Sequence, residues 1–196
     1  MKPYSEASEQ NKEPILAVLR EAFAGVGQVL EIGSGTGQHA AYFPRHLTHL
    51  TWHASDVELH HSGIRLWLDE AALPNVRGPI ALDVTHPWPD LRVGGVFSAN
   101  TAHIMDWPTV EAMFRGIGQV LDEGGVFCLY GPFNYGGCYT SESNTRFDQW
   151  LKQRDPNSGI RDFEALDVLA RAQGMTLAAD HAMPANNHTL VWCKGG

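Results

Sequence analysis

With 196 residues, 43% of them apolar and 18% charged, the chain suits one globular domain with a sizeable core and argues against a largely disordered protein. Its 14 basic and 22 acidic side chains leave a net charge of −8 with no Lys/Arg cluster, which argues against a nucleic-acid or anionic-membrane surface. No run reaches the ~18 apolar residues of a membrane span, and the first residues lack the apolar stretch of a secretory signal. Three cysteines (Cys128, Cys138, Cys193) without a Cys-x-x-Cys complete the expectation of reduced thiols in a cytoplasmic protein.

Residues 1 to about 11 are polar and are expected to drape over the surface. Ile15, Leu16, Leu19, Ala22 and Phe23 recur at helical spacing, with Pro14 in a first turn and Gly25-Val-Gly27 as the stop. Val29, Leu30 and Ile32 read as a buried strand interrupted by Glu31. Gly33, Gly35 and Gly37 then open a second helix, whose apolar content runs from Ala40 to Phe43 before Pro44 cuts it short. Alternating glycines let a turn use positive φ and bring its backbone against a ligand that any Cβ would block. The helix start behind them offers unpaired N–H groups. The spacing matches neither common nucleotide loop. A dinucleotide turn wants glycine where Gln38 stands, and a phosphate loop needs a Gly-Lys-Ser/Thr that does not occur.

Leu50–Asp56 reads as strand two. Asp56 falls 19 residues beyond Gly37, where a carboxylate can accept hydrogen bonds from both hydroxyls of a ribose. It is also placed to cap the next helix, whose apolar face is Ile64, Leu66, Trp67, Leu68 and Ala71. His53, Asp56, His60 and His61 lie close together without a zinc spacing, so no metal is expected. Ile80–Val84 reads as a third strand ending at Asp83, which can alternatively stabilise a turn before Pro87. Gly95–Asn100 is the fourth strand, Val110–Leu121 an amphipathic helix stopped by Gly124-Gly125, and Val126–Tyr130 the fifth strand. The stretch Gly131–Asn144 is long, aromatic and polar, and reads as a substrate lid. A short helix over 147–156 and a last helix from Phe163 to Gly174 follow. Thr176–Ala182 and Thr189–Lys194 predict an antiparallel hairpin.

The acid-x-Gly-x-Gly-x-Gly run from Glu31 to Gly37 resembles motif I of the class I S-adenosylmethionine-dependent methyltransferases, and the order of elements matches that family along nearly the whole chain. The resemblance implies a single α/β domain over 1–196, Rossmann-like, with helices on both faces of a seven-stranded, mostly parallel sheet that ends in an antiparallel hairpin. A narrower match lies in Asn11-Lys-Glu-Pro-Ile-Leu16, Gly35-Thr-Gly-Gln-His39, Leu129-Tyr-Gly-Pro-Phe133, Arg154-Asp-Pro156, Gly159-Ile-Arg-Asp162 and Met183-Pro-Ala-Asn-Asn187. These segments look like the domain-of-unknown-function 938 group, which includes methyltransferase-like 26. One departure is His53-Ala54, where that group's pattern has Gln-Pro.

From the resemblance, S-adenosylmethionine is the expected cofactor. Glu31 would sit near its ammonium, Gly33, Ser34, Gly35 and Gly37 along its methionine part, Asp56 at the ribose, and Asp83 with Val84 at the adenine. Ser8 to Lys12 would close over it. The end of strand four faces the transferable methyl in this fold, which brings Asn100 and His103 to the chemistry. His103 is then a candidate base for an oxygen or acidic nitrogen, or a histidine that positions its loop. Asn-Thr-Ala-His at 100–103 departs from the Asn/Asp-Pro-Pro-aromatic of adenine and amide N-methyltransferases, which disfavours that substrate class. Tyr130, Phe133, Asn134 and Tyr135 are the expected substrate contacts, with Arg161 pairing an acidic substrate. The function implied is methyl transfer to a small molecule, without nucleic-acid or membrane partners. The alternative is a non-catalytic S-adenosylmethionine- or nucleotide-binding module acting through a protein partner. A nicotinamide oxidoreductase is disfavoured by Gln38 and the closing hairpin.

Overall fold

In the computed structural model, which describes residues 2–196, the strands in chain order are β1 (Gln28–Ile32), β2 (Thr51–Asp56), β3 (Val76–Ala81), β4 (Val93–Ala99), β5 (Leu121–Gly131), β6 (Phe133–Asn134), β7 (Arg161–Asp162), β8 (Met175–Met183) and β9 (Asn187–Lys194). The helices are α1 (Glu6–Ala22), α2 (Gln38–His46), α3 (His61–Ala71), α4 (Trp107–Val120), α5 (Glu142–Arg154) and α6 (Phe163–Ala172). Seven strands form one sheet in the order β3-β2-β1-β4-β5-β9-β8, and β6 pairs with β7 beside it. β1 to β5 are mutually parallel, and β9 runs antiparallel to both its neighbours. The seven-stranded, mostly parallel sheet with an antiparallel closing hairpin is the architecture expected.

Both faces are covered, so the central strands are buried on both sides. On one face α1, α2 and α3 bring Ile15, Leu19, Phe43 and Ile64 onto Val29, Trp52 and Phe97. On the other, α4 and α6 bring Val110, Phe114, Ile117 and Leu166 onto Leu30, Val96, Phe127 and Trp192. The chain leaves β1 toward β2 on one side and returns through β4 on the other. That reversal opens a crevice beyond the strands' carboxyl ends, where ligands bind in open α/β sheets.

Several boundaries differ from expectation. Helix α1 starts at Glu6 instead of leaving residues 1–11 draped. Ser5 caps it by accepting the Ser8 N–H (3.2 Å), and Glu6 and Glu9 complement the positive end of its dipole. Pro14 therefore lies inside the helix and not in its first turn. β3 occupies Val76–Ala81, earlier than Ile80–Val84. As the edge strand it tolerates Arg77 and Pro79, which broke the apolar run in the sequence. The stretch expected as a lid is shorter than its sequence suggests. Ser141 caps α5 by accepting the Asn144 N–H (3.1 Å), so this helix begins five residues before Phe147.

Candidate active site

A cleft of about 1130 Å³ lies beyond the carboxyl ends of β1, β2 and β4. Its floor is the glycine turn Gly33–Thr36 with Asp56, Asn100 and Thr101. The amino-terminal half of α1 closes one side, with Ser5, Ser8 and Asn11 lining it, while Lys12 lies outside it. Helix α5 and the 184–187 turn also line the cleft.

The glycine turn is shaped by two positive-φ positions. Gly33 (φ +71) packs so closely that a Cβ would stand 2.7 Å from Thr101 Cγ2. Gly35 (φ +57) has open space on the side where a Cβ would lie, leaving bare backbone toward the cleft. The Gly35 N–H donates to Asp56 Oδ2 (2.7 Å), which ties the turn to the end of β2. Asp56 Oδ1 accepts the Val57 N–H (2.7 Å) and pairs with His60 Nδ1 (2.9 Å). These contacts hold the carboxylate at the floor of the cleft.

Asn100 ends β4 in the left-handed region (φ +58), a conformation asparagine tolerates better than most side chains and one that clusters at functional sites. Its N–H donates to the Tyr130 carbonyl (2.9 Å), so the strained residue is anchored to β5. His103, three residues on, is buried with its ring edge to face against Phe147 at 5.3 Å. Burial and the nearby Arg161 cation lower its pKa to about 4, so at neutral pH the imidazole is uncharged. No protein group hydrogen-bonds its ring among the described residues, and it lines the cleft.

A second group of polar residues was missed as a unit. His39 Nε2 meets Asn11 Oδ1 at 2.8 Å, and the Tyr130 hydroxyl lies between the side-chain amides of Asn11 and Asn187. The four residues come from α1, α2, β5 and β9, and all line the cleft. Burial lowers the pKa of His39 to about 4, so this wall too is uncharged at neutral pH. The four occur in the short segments that carried the narrower resemblance, but only the fold brings them together.

Of the residues singled out in the sequence, Gly33, Ser34, Gly35, Asp56, Asn100, His103 and Tyr130 line the cleft. Others do not. Glu31 lies beneath the glycine turn, where its Oε2 accepts Ser34 Oγ (2.7 Å) and Trp52 Nε1 (3.0 Å). Burial pushes its carboxyl up to about 7 against the pull of those two hydrogen bonds. Gly37 faces α3, where a Cβ would come 2.9 Å from Ile64 Cα. The Asp83 carboxylate stabilises its own turn, accepting Thr85 N–H (3.0 Å) and Oγ1–H (2.7 Å), and Val84 is core.

The residues expected as substrate contacts differ most from expectation. Phe133 is buried in the core, Asn134 is buried with Oδ1 unpartnered, and Tyr135 turns to the hairpin to donate to Asp180 (2.7 Å). Arg161 does not reach the cleft. It donates to the carbonyls of Ala102 (3.1 Å), Met105 and Asn157 (2.9 Å), bracing the loop that carries His103. That part of the cleft is lined instead by Ile104 and Met105 and by Asn144, Phe147, Trp150 and Arg154 of α5.

The model of the family described as protein of unknown function (DUF938) matches residues 2–194. Among solved structures, an O-methyltransferase family protein from Burkholderia thailandensis superposes with a TM-score of 0.85 at 14% identity, over 97% of this chain and 58% of that one. Human N-acetylserotonin methyltransferase in complex with SAM gives 0.80 at 12% identity, over 97% and 53%. An O-methyltransferase family 2 protein from Planctomyces limnophilus in complex with apigenin gives 0.81 at 12%, over 93% and 56%. At such identities the likeness is one of fold, and the chain spans a little over half the length of the structures it matches.

Proposed function

We propose that this chain, which belongs to the DUF938 family, is an S-adenosylmethionine-dependent methyltransferase acting on an oxygen of a small-molecule acceptor. The observation that carries the reading is the meeting of the bare Gly35 backbone, the Asp56 carboxylate, the strained Asn100 and the unpartnered His103 imidazole in one cleft at the sheet's reversal point. The residues fit the cofactor. The open side of Gly35 gives its methionine part a surface without side chains, and Asp56 offers acceptor capacity to ribose hydroxyls. Other proteins of this fold, described as O-methyltransferases, support the same reading.

The bound cofactor would supply an electrophilic methyl group, which moves to an acceptor lone pair as the carbon–sulfur bond breaks and its electron pair stays on sulfur. The chain's task is then to align the acceptor, exclude water and take one proton. A hydroxyl oxygen becomes strongly acidic as its bond to carbon forms, so a weak base suffices. His103, neutral at physiological pH, accepts that proton on its free ring nitrogen. Asn100, held by its bond to the Tyr130 carbonyl, keeps the end of β4 in place beside it.

Calorimetric titration with S-adenosylmethionine, S-adenosylhomocysteine and NAD tests the cofactor assignment. The first two should bind in the micromolar range and NAD should not. Gly35→Val places a β-branched side chain at φ +57 and fills the open space. It should lower affinity at least a hundredfold while the chain stays folded by circular dichroism. Undiminished affinity in that variant refutes the site. A chain that binds none of the three is better described as a module acting through a protein partner.

A further inference from the structure

One face of α5 joins the candidate base to an unpaired cation. Phe147, Trp150, Leu151 and Arg154 recur at i, i+3, i+4 and i+7, the spacing of a single helix face, and all four line the cleft. At the inner end Phe147 meets the His103 ring. Phe147 in turn stacks on Trp150, with centroids 5.8 Å apart and planes within 17°. The Arg154 guanidinium lies over Trp150, 4.6 Å from its centroid. Arg154 makes neither an ion pair nor a side-chain hydrogen bond among the described residues. The adjacent carboxylate, Asp155, also lines the cleft but accepts the Asn157 N–H (2.9 Å).

This row has a chemical preference. Two nearly parallel rings, with Trp150 47% exposed and Ile104 of the same cleft 58% exposed, leave flat apolar surface open to solvent. A guanidinium stacked on an aromatic ring keeps its donor edge free for a planar anion, which it can hold through two parallel hydrogen bonds. The seven residue steps of helix from Phe147 to Arg154 rise about 10 Å. That is close to the length of one benzene ring carrying a hydroxyl at one end and a short acid chain at the other.

Resting on the methyl-transfer reading, we propose that the acceptor is a planar aromatic acid. Its hydroxyl meets His103, its ring lies against Phe147 and Trp150, and its carboxylate takes the Arg154 guanidinium. The charge that selects the acceptor is thus held at the far end from the reacting oxygen, which stays free to meet the methyl group.

Three phenols of similar size, one anionic, one neutral and one cationic, test this: 4-hydroxyphenylacetate, its methyl ester and tyramine. Binding of each to the full chain is measured by calorimetry with S-adenosylhomocysteine saturating, after the affinity for S-adenosylmethionine has been read in the same instrument. The acid should bind at least tenfold more tightly than the ester or the amine. Arg154→Gln should erase that preference with the ester's affinity unchanged, and Arg154→Lys should restore part of it. Equal binding of the three phenols, a preference that survives Arg154→Gln, or no binding of any phenol overturns the proposal. Failure of the wild-type chain to bind S-adenosylmethionine overturns the methyl-transfer reading and the acceptor class with it. Tight cofactor binding without an acid preference overturns the acceptor class alone.

Discussion

Replacing Glu31 by glutamine should stabilise the protein at pH 8 relative to wild type by more than at pH 4.5. The carboxyl is almost wholly buried beneath the glycine turn, and burial raises its pKa from 4.5 to about 7. Between those values the folded chain holds a proton that the unfolded chain has released. Stability from this group is therefore fully present below about pH 4.5, falls as pH rises toward 7, and is flat above. A difference of about 2.5 pKa units corresponds to a loss on the order of 3 kcal/mol across that window. Glutamine keeps the shape and the oxygen that accepts from Ser34 and Trp52, but it has no charge to desolvate. Urea denaturation of both proteins at pH 4.5, 6 and 8 measures the difference directly. Other titrating groups are shared and cancel, and any cost of seating the extra N–H₂ appears equally at every pH. A stability difference that stays constant from pH 4.5 to 8 refutes the account.

Three further outcomes follow from the site. Asn100→Gly relieves a left-handed backbone and should raise stability by about 0.5–1 kcal/mol in denaturation, while turnover falls at least tenfold as the side chain at the end of β4 is lost. Arg161→Lys removes the fork that reaches three carbonyls, so kcat should drop severalfold with the Kd for S-adenosylmethionine unchanged; a Kd that shifts with kcat argues against a role confined to the His103 loop. Because burial holds His103 near pKa 4, single-turnover rates should show no acidic limb near pH 6.5, and His103→Ala should lower the rate without weakening cofactor binding. A limb at 6.5 that vanishes in His103→Ala contradicts the neutral, buried imidazole.

The glycine turn and the acid that ends β2 were legible because their information is local. Gly33 to Gly37 follow a buried strand directly, and the distance to Asp56 is what one helix and one strand consume. The α5 wall of the cleft was not. Phe147 and Leu151 have the same spacing as a helix face packed on a core, and sequence cannot tell a core from a cleft. Aromatic density in 131–144 suggested substrate contacts, yet Phe133 fills the interior and Tyr135 answers to Asp180, 45 residues away. Arg161 misled for a different reason. Its partners are backbone carbonyls, which every residue carries and no sequence pattern marks. Glu31 shows the limit of motif reasoning. The acid stands in the expected position, but the indole of Trp52 and the hydroxyl of Ser34 turn it into the support of the turn.

The place of β9 between β5 and β8 has a consequence for how the chain assembles. When β8 leaves the ribosome it has no strand to pair with, because the one that joins it to the sheet is synthesised after it. Until then β5 is an unguarded edge with Phe127 and Leu129 on offer, and the partner residues Trp192 and Leu190 are more than 60 positions further along. Pairings of such separation close slowly, since the intervening loop must be ordered before any contact rewards it. The half of the sheet from β1 to β3, with α1 to α3 over it, can form while the rest is still being made. The glycine turn and Asp56 are thus in place before α5 and the closing hairpin, and an unfinished chain is most exposed to aggregation along β5.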